Sequence, residues 1–525
     1  MYCKTAAQPG CNAYDSRMKR IPELLGALAV WLTICSSAAS GALQTAGIFS
    51  DNMVLQRDAR VPVWGRADAG ASVVVAFAGQ SVEAVAGKEG RWMLKLEPMK
   101  ASPKGRPMNI HCGGQQVEVA DVLVGDVWFA GGQSNMDFKV NGMARRLAQG
   151  RALAEAANFP EIRHRKVNDR NAAVPQSDLR GGQWVVCSPK TVHGFSAVAF
   201  VFARRLHLEL GVPVGVIDCA WGGTPIEPYI PTTAFKGHPT LVKLAGLAKA
   251  GDLEAIKKMP GGTFARSPAW LAGAIYNGRI APVAPYGIRG AIWYQAESNC
   301  GRGEDPRHYR FKQKALVEGW RQSFEQERLP FYYVQLPQWK SYAWTYAREE
   351  QLQAMQVEDT GMAVTIDLDN AGDIHPPNKI DVGERLARWP LAKLYGRKIE
   401  YCGPLFDDAK IKGSKVEVRF HHAEKGLVAG RVKAVGEIVE APDGVLYGFE
   451  LAGDDGVWHP AKAKITGQTV LVTSDLVDQP VAVRYACHPE APRHSPWNLY
   501  NQAFLPASPF CSDWSLMPYN PAKNP

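Results

Sequence analysis

The chain has 525 residues, 46% hydrophobic and 21% charged, a balance that supports several packed domains and excludes a disordered, collagenous or coiled-coil protein. Sixty Lys and Arg against 51 Asp and Glu leave +9, small for this length, and no basic run is interleaved with aromatics, so no nucleic-acid partner is expected. Its 50 Gly, 36 Pro and 15 Trp predict many turns and more indole than an average core requires.

The amino terminus reads as an address. Met18-Lys19-Arg20, an apolar stretch from Leu24 to Ile34 and the small residues CSSAASGA follow the order of n-region, h-region and cleavage site. The expected leader covers residues 1–42, with translation starting at Met18, and the expected destination is the periplasm or the exterior. The apolar stretch is too short to cross a bilayer, so stable membrane insertion is not expected. Cys3, Cys11 and Cys35 fall in the leader. The other cysteines, at 112, 187, 219, 300, 402, 487 and 511, contain no C-x-x-C, which leaves room for one or two disulfides and suggests no zinc site.

From 43 to 120, short β-branched stretches are cut by Gly and Pro (VPVWG, ASVVVAFAG, RWMLKLEPM, MNIHCGG, QQVEVADV), the pattern of a small antiparallel sandwich. The pattern changes over 121–399. The strand DVWFAGG leads to a helix over 142–157, a helix over 196–210 feeds the strand VPVGVIDC, and the strands GIRGAIWYQ, LPFYYVQLP and MAVTIDL alternate with helices. DVGERLARWPLAKLYG closes the series as a helix. Such alternation predicts a mostly parallel sheet with helices on both faces, its ligands beyond the carboxyl ends of the strands. From 400 to 515 only strand patterns return (KVEVRF, LYGFELAG, TVLVTS, VAVRYA), so a second β-sandwich domain is expected.

Three strand ends and one loop carry candidate chemistry. In GGQSNM, Ser134 stands on a glycine-rich turn after a strand, where a hydroxyl faces incoming substrate. Read alone it is an ordinary turn serine, because Met136 occupies the place of the second glycine in a lipase-type elbow. In DCAWGGTP, Gly222 and Gly223 leave a backbone N–H unshielded, although any strand-to-loop turn can use Gly-Gly. In WYQAESN, Asn299 offers an amide donor, with Gln295 and Glu297 alternating along the same segment; such a polar set also satisfies loop backbone. In DIHPPNK, an extended backbone brings Asp373 and His375 to one side, their Cα atoms about 6.6 Å apart. A carboxylate on one imidazole nitrogen leaves the other free to take a serine proton, yet Asp-x-His also serves as a metal-ligand pair or a plain loop pair.

In combination these blocks are more specific. GGQSNM, WGGTPIEPYI, GAIWYQAESN and DIHPPNK occur in order, each after a predicted strand, and the chain resembles the SGNH hydrolases, specifically the sialate O-acetylesterase-like carbohydrate esterases. FSDNMVLQRDARVPVWG, SPKTVHGFSAVAFVFARRL, YNGRIAPVAPYGIRG and NLYNQAFLPASPF extend the resemblance over nearly the whole chain beyond the leader. The resemblance implies a flavodoxin-like SGNH core and a serine esterase that removes O-acetyl groups from sugars through an acyl-enzyme. Ser134 would be the nucleophile, His375 the general base and then acid, and Asp373 the group that orients His375. The oxyanion would be held by the backbone N–H of Ser134 and of Gly223 and by the amide of Asn299. No metal or cofactor is implied.

Two positions depart from the pattern. Ala296 replaces the usual glycine of Y-Q-G-E-S-N, and the position three before His375 is Gly372 rather than the Asp of typical SGNH lipases. The esterase branch places Asp two before, which Asp373 satisfies; failing that, a backbone carbonyl or Asp369 would orient the ring. Gln133, Trp221, Gln295, Glu297, Trp344 and Arg348 are the expected substrate-binding residues, Arg348 for a sialate carboxylate. The natural substrate stays open between sialic acids and polysaccharides such as acetylated xylan. Two rivals are a lipase or thioesterase of the same fold, and a carbohydrate-binding protein on a dead hydrolase core, against which the set Ser134, Asn299 and His375 argues.

Overall fold

One strand, β1 (Gln115–Gly132), organises the molecule. The computed structural model describes residues 42–259, 272–301, 304–368, 372–488, 497–520 and 522; all but the last residue of the expected leader, and Asp369, fall outside the described residues. The first half of β1 alternates between exposed and covered positions and pairs antiparallel with Ser102–Cys112. From Val122 onward every residue is buried, as a strand covered on both faces requires. There it pairs first with Val54–Gln56 and then enters the central parallel sheet. The 120/121 boundary of the sequence reading therefore falls inside a continuous strand.

The other strands of the main sheet are β2 (Ile162–Lys166), β3 (Trp184–Val186), β4 (Val214–Asp218), β5 (Gly290–Tyr294), β6 (Phe331–Val334) and β7 (Thr360–Ala363). They lie in the order β3-β2-β4-β1-β5-β6-β7, all parallel except the edge strand β3. Chain order reverses at β1, with β4 on one side and β5 on the other. That switch point opens a crevice at the carboxyl ends of three strands.

Alternate side chains along each strand feed separate cores. Trp128, Ile292 and Tyr332 pack with α4 (Ala197–Leu210) and α7 (Lys379–Lys393), where Trp128 meets Phe202 edge-on at 4.9 Å. Phe129, Trp293 and Phe331 pack on the other face with α5 (Tyr309–Ser323), whose Trp320 is fully buried among all three rings and donates its indole N–H to the Tyr229 carbonyl at 3.0 Å. Truncating that indole to alanine should cost about 3–5 kcal/mol. Helices thus cover both faces, as expected.

The helix expected over 142–157 is instead two, α2 (Val140–Arg146) and α3 (Ala148–Glu155). Leu147 between them is extended, and a Cβ at Gly150 would stand 2.6 Å from Met143 Cγ, so the chain bends where only glycine permits the second helix to fold against the first. Among the described residues after Gly396, as expected, only strands and short turns follow, in antiparallel sheets of four, three and four strands. Cys112, Cys187, Cys219, Cys300, Cys402, Cys487 and Cys511 are free thiols, so the disulfides allowed by the sequence do not form.

Candidate active site

The turn after β1 enters the short helix α1 (Ser134–Asp137), and Ser134 is its first residue, half-buried beside the crevice. The first N–H groups of a helix have no intrahelical acceptor, so the Ser134 amide is free of helical pairing. The carboxyl-terminal end of α1 is fixed. Ser196 donates its hydroxyl to the Met136 carbonyl at 2.6 Å while capping α4, and Asp137 accepts from Lys139 at 2.8 Å and Lys166 at 2.7 Å. Lys166 also bonds Asp218 at the end of β4. Burial alone would raise the Asp218 carboxyl, but Lys166, His164 and Lys139 outweigh it and hold it ionised far below the usual range.

The turn after β4 lies directly against the serine. A Cβ added to Gly222 would stand 3.6 Å from Ser134 Cβ, and the exposed Gly223 adopts φ 72°, a conformation that favours glycine. Trp221 donates its backbone N–H to the Gly132 carbonyl at 3.0 Å, which joins this turn to β1.

Beyond β5, the polar residues of WYQAESN point inward. Gln133 Oε1 accepts from Gln295 Nε2 and from the Ser298 N–H, both at 3.0 Å. Asn135 is fully buried and ties three segments together: its Nδ2 donates to Glu297 Oε1 at 2.7 Å and to the Ile374 carbonyl at 3.0 Å, and its Oδ1 accepts from Lys379 Nζ at 2.6 Å. Burial pushes the Glu297 carboxyl up, against the opposing Asn135 bond. The loop carrying His375 comes from beyond the edge strand β7, so this link reaches across the sheet to the residue next to Ser134.

His375 is half-buried, and its imidazole is pushed below the ordinary histidine range by burial first and then by the Lys379 cation; Asp373 opposes this and Arg146 adds to it. The ring therefore stays neutral near neutral pH. Asp373 Oδ1 accepts the backbone N–H of His375 at 2.8 Å, and Oδ2 is paired with Arg146, which also donates to the His375 carbonyl at 3.0 Å. Burial would raise the Asp373 carboxyl, but Arg146 and the His375 N–H outweigh it and keep it low. Asp373 thus grips the His375 backbone.

Other expected residues sit elsewhere. Asn299 is buried, and its Nδ2 faces Glu227 at 3.1 Å and Glu304 at 3.0 Å, while Oδ1 accepts from the Ile226 N–H at 3.0 Å and Gln295 at 2.8 Å. Those donors fix the amide's orientation, so both its hydrogens serve carboxylates and none is offered as an oxyanion donor. Lys312 joins the same two carboxylates from α5. Gln133, Gln295 and Glu297, expected to bind substrate, are buried and spend their polar atoms inside the protein. Trp344 is also buried, packed beside Trp339 on α6 (Tyr342–Gln353). Arg348 is fully buried in that helix and donates to the carbonyls of Leu336 at 3.1 Å and Pro337 at 2.6 Å, with its guanidinium lowered to about 10 by burial; it holds a loop from inside the protein. Trp221 is the expected aromatic that remains half-exposed. Asn135, Glu227 and Lys379 were missed as site-building residues although each lies within a quoted block, because their partners are distant in the chain.

A family model described as carbohydrate esterase, sialic acid-specific acetylesterase, matches residues 124–391. The chain is 29% identical to the sialate O-acetylesterase of Homo sapiens, over 93% of its own length and 96% of the relative's. It is 30% identical to the sialate O-acetylesterase of Rattus norvegicus, over 68% of its length and 75% of the relative's. Its backbone matches the crystal structure of a carbohydrate acetylesterase from Xanthomonas citri with a TM-score of 0.76 and 33% identity, covering 90% of this chain and 100% of that one.

Proposed function

The chain belongs to the sialic acid-specific acetylesterase family of carbohydrate esterases and removes O-acetyl groups from sugars, and we propose that Ser134 and His375 carry the reaction through an acyl-enzyme. The observation that supports this assignment is the Asn135 bridge, which ties the residue after Ser134 to the residue before His375.

In the proposed cycle neutral His375 takes the Ser134 hydroxyl proton as the oxygen attacks the acetyl carbonyl carbon. The carbonyl oxygen becomes an oxyanion, held by the backbone N–H groups of Ser134 and Gly223. The carbon–oxygen bond to the sugar then breaks, and the imidazolium returns the proton to the departing sugar oxygen. Water, deprotonated by His375, attacks the acetyl-serine; acetate leaves and Ser134 regains its proton. Asp373 acts in this scheme by holding the His375 backbone, and Asn299 by holding the floor of the crevice.

The test is acetate release from O-acetylated sialosides, xylan and pectin, compared between wild type and Ser134→Ala. The variant should keep the fold and lose roughly a million-fold in kcat. Retained turnover would move the nucleophile elsewhere. We also propose export, on the leader pattern from Met18 to Ala42; amino-terminal sequencing of the secreted protein should begin near residue 43.

A further inference from the structure

Two hydroxyls lie between the segments that supply the proposed oxyanion donors. Tyr229 is fully buried in the short turn Glu227–Tyr229, its ring edge-on to Trp293 at 5.1 Å and its carbonyl receiving the Trp320 indole N–H. Its hydroxyl donates to the Gly132 carbonyl at 2.7 Å and accepts at 3.1 Å from the Trp221 N–H, which it shares with that carbonyl. Thr224, also buried, donates its hydroxyl to the Trp221 carbonyl at 2.6 Å and stands 3.0 Å from the Tyr229 oxygen. Each hydroxyl has one hydrogen, and the two shortest contacts assign both to carbonyls. Burial pushes the Tyr229 phenol far above its ordinary range, so it stays a donor.

These bonds bear on both donor segments at once. The Gly132–Gln133 peptide is gripped at both ends, its carbonyl by Tyr229 and Trp221 and its N–H by the Tyr294 carbonyl at 3.0 Å. The next peptide carries the Ser134 N–H. In the turn after β4, Thr224 closes on Trp221, and Gly222 and Gly223 lie between those two anchors. Consecutive glycines leave a backbone with little restraint of its own, so the direction of the Gly223 N–H is set by the residues that flank it. Because Asn299 serves carboxylates, the oxyanion depends on these two backbone groups, and no rotamer can adjust either. Such a donor acts at about 2.7–3.1 Å from the oxyanion and weakens steeply beyond.

We propose that Tyr229 is a positioning residue for the reaction: its hydroxyl, assisted by that of Thr224, pegs the end of β1 to the turn after β4 and so sets the gap between the N–H groups of Ser134 and Gly223. It acts through the two backbones, so its effect is confined to the state in which the oxyanion exists. This inference rests on the esterase reading and adds to it the device that fixes the oxyanion site.

The experiment compares 4-nitrophenyl acetate with 4-nitrophenyl thionoacetate, in which sulfur replaces the carbonyl oxygen, each rate being divided by that of the same ester with hydroxide. Sulfur is larger and a weak acceptor, so a fitted pair of donors favours oxygen. Wild type should prefer the oxygen ester by about 100-fold or more in kcat/KM, the worth of one oxyanion donor. Tyr229→Phe removes one oxygen atom and keeps the ring; kcat on the acetate should fall about 10- to 100-fold with KM within about twofold, and the oxygen preference should fall roughly tenfold. Thr224→Val should lower the preference as well, and Thr224→Ser should restore it. The ratio is internal to each protein, so a purely structural role, which changes only the amount of folded enzyme, leaves it unmoved. A preference unchanged in Tyr229→Phe, or in Thr224→Val should Tyr229→Phe fail to fold, overturns the proposal, as does wild type without a preference. Wild type that cleaves neither ester nor any acetylated sugar would overturn the esterase reading itself.

Discussion

Asn135, the residue after the proposed nucleophile, donates to the carbonyl oxygen of Ile374, the residue before His375, at 3.0 Å. The same side chain receives the Lys379 ammonium and reaches Glu297, so one amide connects the ends of β1 and β5 to the loop after β7. Asn135→Ala should therefore remove one hydrogen bond each from the buried Lys379 and Glu297 and release the His375 loop. The expected loss is about 3 kcal/mol of stability, together with a fall in kcat larger than any change in KM. Denaturant unfolding and steady-state kinetics measure both; an unchanged kcat would show that the link does not position the base.

The pH profile follows from His375. Its neutral form is the base, and burial and Lys379 depress its pKa, so the acid limb of kcat/KM should lie below the ordinary value of about 6.5. Arg146→Gln removes a cation that lowers the imidazole pKa and frees the Asp373 carboxylate that raises it. Both changes favour the imidazolium, so the limb should move to higher pH. A shift to lower pH would contradict this electrostatic account.

Ala296, which replaces the family's glycine, is fully buried at φ 153° and ψ −15°, a conformation L side chains rarely adopt. Its N–H donates to Glu297 at 3.0 Å, which holds the strained residue in place. Ala296→Gly should relieve strain of about 1–3 kcal/mol and lose part of that gain to backbone entropy and a buried methyl, for a net stabilisation of up to about 1 kcal/mol. A lowered melting temperature would mean that the methyl packs better than the strain costs.

Asn299 separates two roles that the sequence cannot distinguish. An oxyanion donor lost to alanine costs about 100- to 1000-fold in kcat with the fold intact. An amide that donates to Glu227 and Glu304 costs stability instead, about 2–4 kcal/mol when two buried carboxylates each lose one of their donors. The geometry predicts that Asn299→Ala is destabilised first and foremost, and that at a temperature where it remains folded it retains more than a hundredth of wild-type kcat.

Much of this architecture was legible in the chain alone, because local pattern and local pairing coincide there. Unbroken apolar runs such as DVWFA and GAIWY mark strands buried on both faces, and glycine turns mark their carboxyl ends. The positions of Ser134, Gly222 and Gly223 at a sheet rim followed from that, and the family blocks tied them to ester chemistry. Only the tertiary structure decided the direction of each polar side chain. Asn299 turned to carboxylates from other segments, Arg348 to the loop it covers, and Asp373 to Arg146 and a backbone N–H. Residue type and spacing state what a side chain is able to donate, but the acceptor it meets is set by long-range packing. For that reason Asn135, inside a block visible in the sequence, acquires its role from partners brought close by the fold.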